Sequence, residues 1–258
     1  MLFAGISDAF SCYWNPTVLT VGGCQPDCYT VIGGAACDIL MSEADVPFRA
    51  TKDIDMILLL EDRYQDFAKV FWEYIKEGGY RCGWKNSKDV HFYRFTDPVP
   101  GYPVQIELFS RFPDYHLRTD SGIIPIHIND DISSLSAILL NDDFYGFMMQ
   151  GRRNIDGISV LDASYLIPFK MRAWIDLSDR KARGEHVNEK DLKKHKYDVF
   201  RLLEIVTPDE TVKVIGMVKD SINAFLDRIQ EEELPLAQIG LSINKDQSIQ
   251  QIQNLYKQ

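Results

Sequence analysis

Two carboxylates set two residues apart are the groups of this chain best placed to do chemistry. They are Asp53 and Asp55, in Thr51-Lys52-Asp53-Ile54-Asp55-Met56-Ile57-Leu58. Side chains at i and i+2 of a strand share one face, so both aspartates point one way while Ile54 and Met56 point into a core. Adjacent like charges repel, and they are tolerated mainly where water or a cation meets them. The pattern suits a metal site, and a solvated aspartate pair at a strand start has the same spelling.

About twenty residues upstream, Tyr29-Thr30-Val31-Ile32-Gly33-Gly34-Ala35-Ala36 runs from a short β-rich segment through a glycine pair into an apolar stretch, Ala35 to Met41, of helical character. Glycines at a strand-to-helix turn let backbone N–H groups approach a phosphate, whose charge the helix N-terminus favours. A plain tight turn uses the same residues.

The glycine pair, the helix and the Asp-x-Asp strand, in that order, resemble the DNA polymerase β-like nucleotidyltransferase superfamily. Arg49 and Thr51 ahead of the aspartates make the chain most similar to AbiEii-type abortive-infection toxins and their bacterial relatives. The resemblance implies transfer of a nucleotidyl group from an NTP to an acceptor hydroxyl, with Mg²⁺ or Mn²⁺ held by Asp53 and Asp55. Gly33 and Gly34 would cradle phosphates. Arg49 and Thr51 match the motif, with structural roles equally open to them: Arg49 in pairing with an acidic neighbour, Thr51 in capping the strand. Two departures stand out. Eighteen residues separate Gly34 from Asp53, so the helix or its exit around Ser42 to Phe48 must be extended, and Gly34 replaces the serine of some branches.

The resemblance also implies a third carboxylate. Val104-Gln105-Ile106-Glu107-Leu108-Phe109 alternates, which puts Glu107 on the polar face of a half-buried strand as the third metal ligand, or as an ordinary exposed glutamate. Asp97 and Asp114 compete, from Pro-rich surroundings that read as loops. Val160 to Trp174 resembles the second AbiEii-type region, which implies an inward Lys170 contacting phosphate. A lysine beside the stripe of Phe169, Ala173 and Trp174 also commonly snorkels. Pro168 suits a first helical turn, predicting a helix from about Pro168 to Lys181. The last matching piece, Lys193 to Leu202, places the family's basic residue at Lys194, a nucleotide contact by implication. It also places an aspartate at Asp198, with His195 where relatives carry another aspartate. Asp198 is open to a proton-accepting role, to orienting a lysine, or to pairing with Lys194 at i,i+4 on a solvated helix.

The net charge of −10 argues against a broad nucleic-acid-binding surface. From Arg180 to Arg201, however, eight basic residues face four acidic ones. Such a run is usually a solvated face, and here it also suits an RNA acceptor end. The AbiEii-type resemblance implies a toxin-like or defence setting with an antitoxin as possible partner, and together with this run it makes an RNA 3′ end the expected acceptor. The alternatives are a small-molecule, antibiotic-type nucleotidyltransferase and a non-catalytic nucleotide-binding protein of the same fold. No apolar run reaches membrane-span length, and Met1 to Tyr13 lacks a basic start and a cleavage site. Cys12, Cys24, Cys28, Cys37 and Cys82 have no zinc spacing, so reduced thiols and a cytoplasmic location are expected.

These readings predict an α+β nucleotidyltransferase domain over residues 1–160, a mixed sheet with flanking helices, followed by a helical domain over residues 161–258. Strands are expected at Tyr29 to Ile32, Ile54 to Leu60, His91 to Phe95, Val104 to Phe109 and Ile123 to Ile128. Helices are expected at Asp66 to Glu77, Ile132 to Leu140, Asp209 to Glu232 and Asp246 to Tyr256, with an Asp156-Gly157 hairpin turn.

Overall fold

The computed structural model of the chain describes residues 26–49, 51–59, 64–82, 93–110 and 141–257. It has two compact units, Met1–Ile132 with Arg152–Leu161, and Ser133–Gly151 with Asp162–Gln258. The first is α+β, and the described part of the second is helical.

The first unit is built on a seven-stranded mixed sheet in the order β3-β4-β5-β2-β1-β7-β6. Its strands are β1 (Tyr29–Ile32), β2 (Asp53–Leu58), β3 (Arg81–Cys82), β4 (Tyr93–Thr96), β5 (Gln105–Ser110), β6 (Arg152–Ile155) and β7 (Ile158–Leu161). β2 runs antiparallel to β1 and parallel to β5. Alternation sorts the faces: Ile54, Met56, Ile106, Leu108, Phe95 and Val31 are buried on one, and Asp53, Asp55, Gln105 and Glu107 stand half-buried on the other. The apolar face is covered by helix α2 (Tyr64–Glu77), whose Phe71 and Trp72 meet the Phe95 ring edge-on at 5.3 and 5.6 Å. The β6–β7 hairpin closes on Asp156 and Gly157, with φ of 49° and 86°, the positive pair a two-residue turn requires.

Helix α1 (Gly33–Glu43) follows β1 directly and is buried over most of its length through small and aliphatic side chains, Ala35, Ala36, Cys37, Ile39, Leu40 and Met41. Its exit runs through Asp45, at φ 55°, to Arg49. The extra length between Gly34 and Asp53 therefore lies mainly in this exit.

The helical unit comprises α3 (Asp142–Gln150), α4 (Ala163–Ala182), α5 (Glu189–Leu203), α6 (Gly216–Gln230) and α7 (Lys245–Leu255). Its core includes Trp174, which meets Phe225 edge-on at 5.2 Å, and Phe200, tilted against the same ring at 6.2 Å. Helix α4 corrects the expected start at Pro168. Asp162 caps it by accepting from Ala163 N at 2.8 Å, and Pro168 lies inside. A proline there leaves the carbonyl four residues back without its N–H partner. That carbonyl, on Ser164, accepts instead from the Tyr256 hydroxyl at 2.5 Å. The helix expected from Asp209 is also corrected, since it begins at Gly216. Before it, Thr211 to Ile215 alternates exposed and buried, and Val212 N donates to Leu255 O at 2.7 Å. That is an extended segment pinned to the end of α7. The expected strand at Ile123 to Ile128, the helix at Ile132 to Leu140 and the competitor Asp114 lie outside the described residues.

Candidate active site

Because β1 and β2 are antiparallel, the end of β1 and the start of β2 share one edge of the sheet, with Ile32 opposite Asp55. The first turn of α1 thus stands beside the aspartates. Ile32, its N-cap, makes no side-chain cap bond of its own, and the first N–H groups of a helix have no partner within it. Gly33 has φ 69°, and a Cβ there would lie 1.9 Å from Asp55 Oδ2. Only glycine satisfies both the left-handed backbone and that close approach. At Gly34 a Cβ would come within 2.8 Å of Thr51 Oγ1 and 3.8 Å of an Arg49 guanidinium nitrogen. The five residues Gly33, Gly34, Arg49, Thr51 and Asp55 are therefore one cluster, although 22 positions of chain separate its ends.

The parallel β2–β5 register pairs Asp53 with Gln105 and Asp55 with Glu107, so Glu107 stands directly across from Asp55 on the polar face. Asp97 does not compete: it is exposed just after β4, at φ 55°. The carboxylates are held in different directions. Asp55 lies against Gly33 on the β1 side, whereas Glu107 Oε1 accepts from Arg94 Nε at 2.5 Å and from Gln105 Nε2 at 3.0 Å on the β4 side. Among the described residues, no three His, Cys, Asp or Glu side chains gather closely enough to hold a metal ion. The donor chemistry nevertheless fits Mg²⁺ or Mn²⁺, which take carboxylate oxygens from side chains on one face. The residues that would hold the ion are Asp53 and Asp55, with Glu107 across the β2–β5 pairing as the third carboxylate of that face.

Thr51 Oγ1 donates to Asp53 O at 3.4 Å, a strand-start cap. The Arg49 guanidinium lies 4.9 Å over the Phe48 ring and close enough to Asp38 of α1 to act on its charge. Burial pushes the Asp38 carboxyl up from 3.8 to about 6, against the opposing pull of Arg49. A carboxyl whose pKa is raised on folding binds more protons folded than unfolded between those values, so its contribution to stability falls as pH rises through them. Wild type should therefore lose stability relative to Asp38→Asn between pH 3.8 and about 6 and hold a constant difference above that. Urea midpoints of the two proteins across that range check it, and parallel curves would contradict it. Asp38 is absent from the sequence-derived residues, and its signal there is that it is the one carboxylate within the apolar stretch Ala35 to Met41.

In the helical unit the sequence-derived residues form a different arrangement. Lys170 neither snorkels nor borders solvent: its side chain is 3% exposed, and its Nζ donates to Asp198 Oδ2 at 3.2 Å. Asp198 is fully buried and also meets Arg201 at 3.4 Å. The expected Asp198–Lys194 pair on a solvated face is thereby corrected, while the lysine-orienting role matches the geometry. Lys194 and His195 are half-buried on α5.

The basic stretch is largely matched by acids. Arg180 and Arg183 both bind Glu185, at 2.9 and 2.8 Å, Lys181 binds Glu189 at 2.6 Å, and Lys196 binds Glu232. The two arginines hold the Glu185 carboxyl below its ordinary range, and Lys181 does the same for Glu189. Cys28 and Cys37 are buried, with Cys37 Sγ donating to Gly33 O at 3.2 Å, and no described helix is long and apolar enough to cross a membrane. Compared with the models of known protein families and with curated proteins, the chain matches none.

Proposed function

We propose that this chain is a divalent-cation-dependent nucleotidyltransferase of the DNA polymerase β-like kind, closest in its motifs to AbiEii-type toxins. The observation that carries this reading is the row across the sheet: Glu107 opposite Asp55, and Asp55 against the Gly33 turn that opens α1. Acidic oxygen donors and an N–H-rich helix terminus, side by side, are what a cation-bound triphosphate needs. Mg²⁺, when bound, supplies neutralisation of the triphosphate and activation of the acceptor hydroxyl. The chain's own part is to bind and orient. Gly33 and Gly34 offer backbone donors to phosphate oxygens, Arg49 adds a fixed positive charge at the same turn, and Asp53, Asp55 and Glu107 supply ligand charge. The acceptor oxygen bonds to the α-phosphorus as its bond to pyrophosphate breaks. Lys170 and Asp198, buried against one another, are assigned to holding the helical unit together.

For the acceptor we keep the RNA 3′ end as first reading. One observation favours the small hydroxyl compound as second: five of the eight cations from Arg180 to Arg201 are in ion pairs, which weakens the field a polyanion would meet. Labelled NTPs with Mg²⁺ or Mn²⁺, offered to total RNA, protein and small hydroxyl compounds, separate the two. With RNA as acceptor, labelling should fall steeply from about 50 to about 300 mM salt. Reversing Lys190, Lys193 and Lys194 to glutamate should then reduce RNA labelling by roughly tenfold or more while NTP binding persists. Labelling of a neutral hydroxyl compound with none of RNA at any salt selects the second reading.

A further inference from the structure

Arg94, Glu107 and Asp55 stand in one row on the polar face, since Arg94 pairs with Glu107 across β4–β5 and Glu107 with Asp55 across β5–β2. Both donors that reach Glu107, Arg94 Nε and Gln105 Nε2, converge on the same oxygen, Oε1. The partners differ in exposure, Arg94 at 48% and Glu107 at 16%. The guanidinium can therefore swing into solvent on its own rotamers, while the carboxylate is confined to the sheet. We propose that Arg94 is a latch on the third carboxylate of the candidate metal site: holding Glu107 keeps the divalent-cation affinity of this face low, and release completes the ligand set. The proposal rests on the metal reading above. Its physical basis is competition for one carboxylate. While Arg94 is bound, its charge cancels one of the three negative charges of Asp53, Asp55 and Glu107 and repels an arriving cation across neighbouring strands about 5 Å apart. A divalent ion first meets Asp53 and Asp55 and gains Glu107 only by displacing the guanidinium. Arg94 is thus a positioning residue, acting through Glu107.

Mn²⁺ titration followed by electron paramagnetic resonance, on the full chain without nucleotide, tests this. Arg94→Gln should bind Mn²⁺ roughly tenfold more tightly than wild type, because a repelling charge is gone and Glu107 is released. Arg94→Lys, which keeps the charge, should stay near wild type. In a Glu107→Gln background the gain from Arg94→Gln should shrink to the smaller part that loss of a repelling charge gives on its own, since the latch has nothing to hold. Circular dichroism checks that each variant keeps the fold, which the exposure of Arg94 favours. Unchanged or weaker Mn²⁺ binding by Arg94→Gln overturns the latch, as does a gain of undiminished size without Glu107. If Asp55→Asn binds Mn²⁺ like wild type, the metal reading itself fails, and the latch fails with it.

Discussion

Asp55→Asn should lower metal-dependent nucleotidyl transfer by at least about a hundredfold, because it removes ligand charge where the cation and the triphosphate meet. Volume is unchanged, so the fold should persist. The substitution keeps the shape of the side chain and one carbonyl oxygen on a face that carries Asp53 and Glu107 as well, so stability should stay close to that of wild type. A loss of transfer without a loss of stability separates a ligand from a structural residue. Asp53→Asn should behave alike, being on the same face of β2. Transfer at wild-type rate in purified, folded Asp55→Asn would remove the assignment.

The second large effect is on stability. Asp198→Ala should destabilise the protein by about 3–5 kcal/mol, because it removes the carboxylate paired with the Lys170 ammonium in the core of the helical unit. At the slopes usual for domains of this size that is a drop of roughly 10 °C in Tm. Lys170→Met in the Asp198→Leu background should recover much of the loss, since replacing a buried pair by apolar groups is often neutral while breaking one is costly. Denaturant midpoints for wild type, Asp198→Ala, Asp198→Leu and the Lys170→Met/Asp198→Leu double variant measure it. A loss below about 1 kcal/mol in Asp198→Ala would mean that the pair is screened like a surface one.

What the sequence made legible follows the range of the interactions involved. β2, β5 and their carboxylate faces were readable because strand alternation is local, and so was the Asp156-Gly157 turn, whose residue types answer to backbone angles. The start of α4 was misplaced because Pro168 was taken as a first-turn residue. The hydroxyl that lets it sit inside the helix comes from Tyr256, 92 residues from Ser164. Asp198 has Lys194 within local reach, four residues away, whereas Lys170, which it binds, lies 28 residues off. Burial of both could not be seen from spacing on one helix. Arg94 lay within an expected strand and went unweighed, because its significance depends on the register that sets it opposite Glu107. The segment Thr211 to Ile215 carried a legible period of two that the acidic residues beside it obscured.

The central claim is nucleotidyl transfer, and the position of the transferred phosphorus tests it most directly. Parallel reactions with Mn²⁺, a pool of NTPs labelled either at the α- or at the γ-phosphate, and the mixed RNA and small-hydroxyl acceptors distinguish the possible bond cleavages. The account predicts α-label on the acceptor, γ-label only in pyrophosphate, and neither product with Asp55→Asn. Label from the γ-position on the acceptor, γ-label released as orthophosphate, or no cleavage of any NTP by wild type would contradict it.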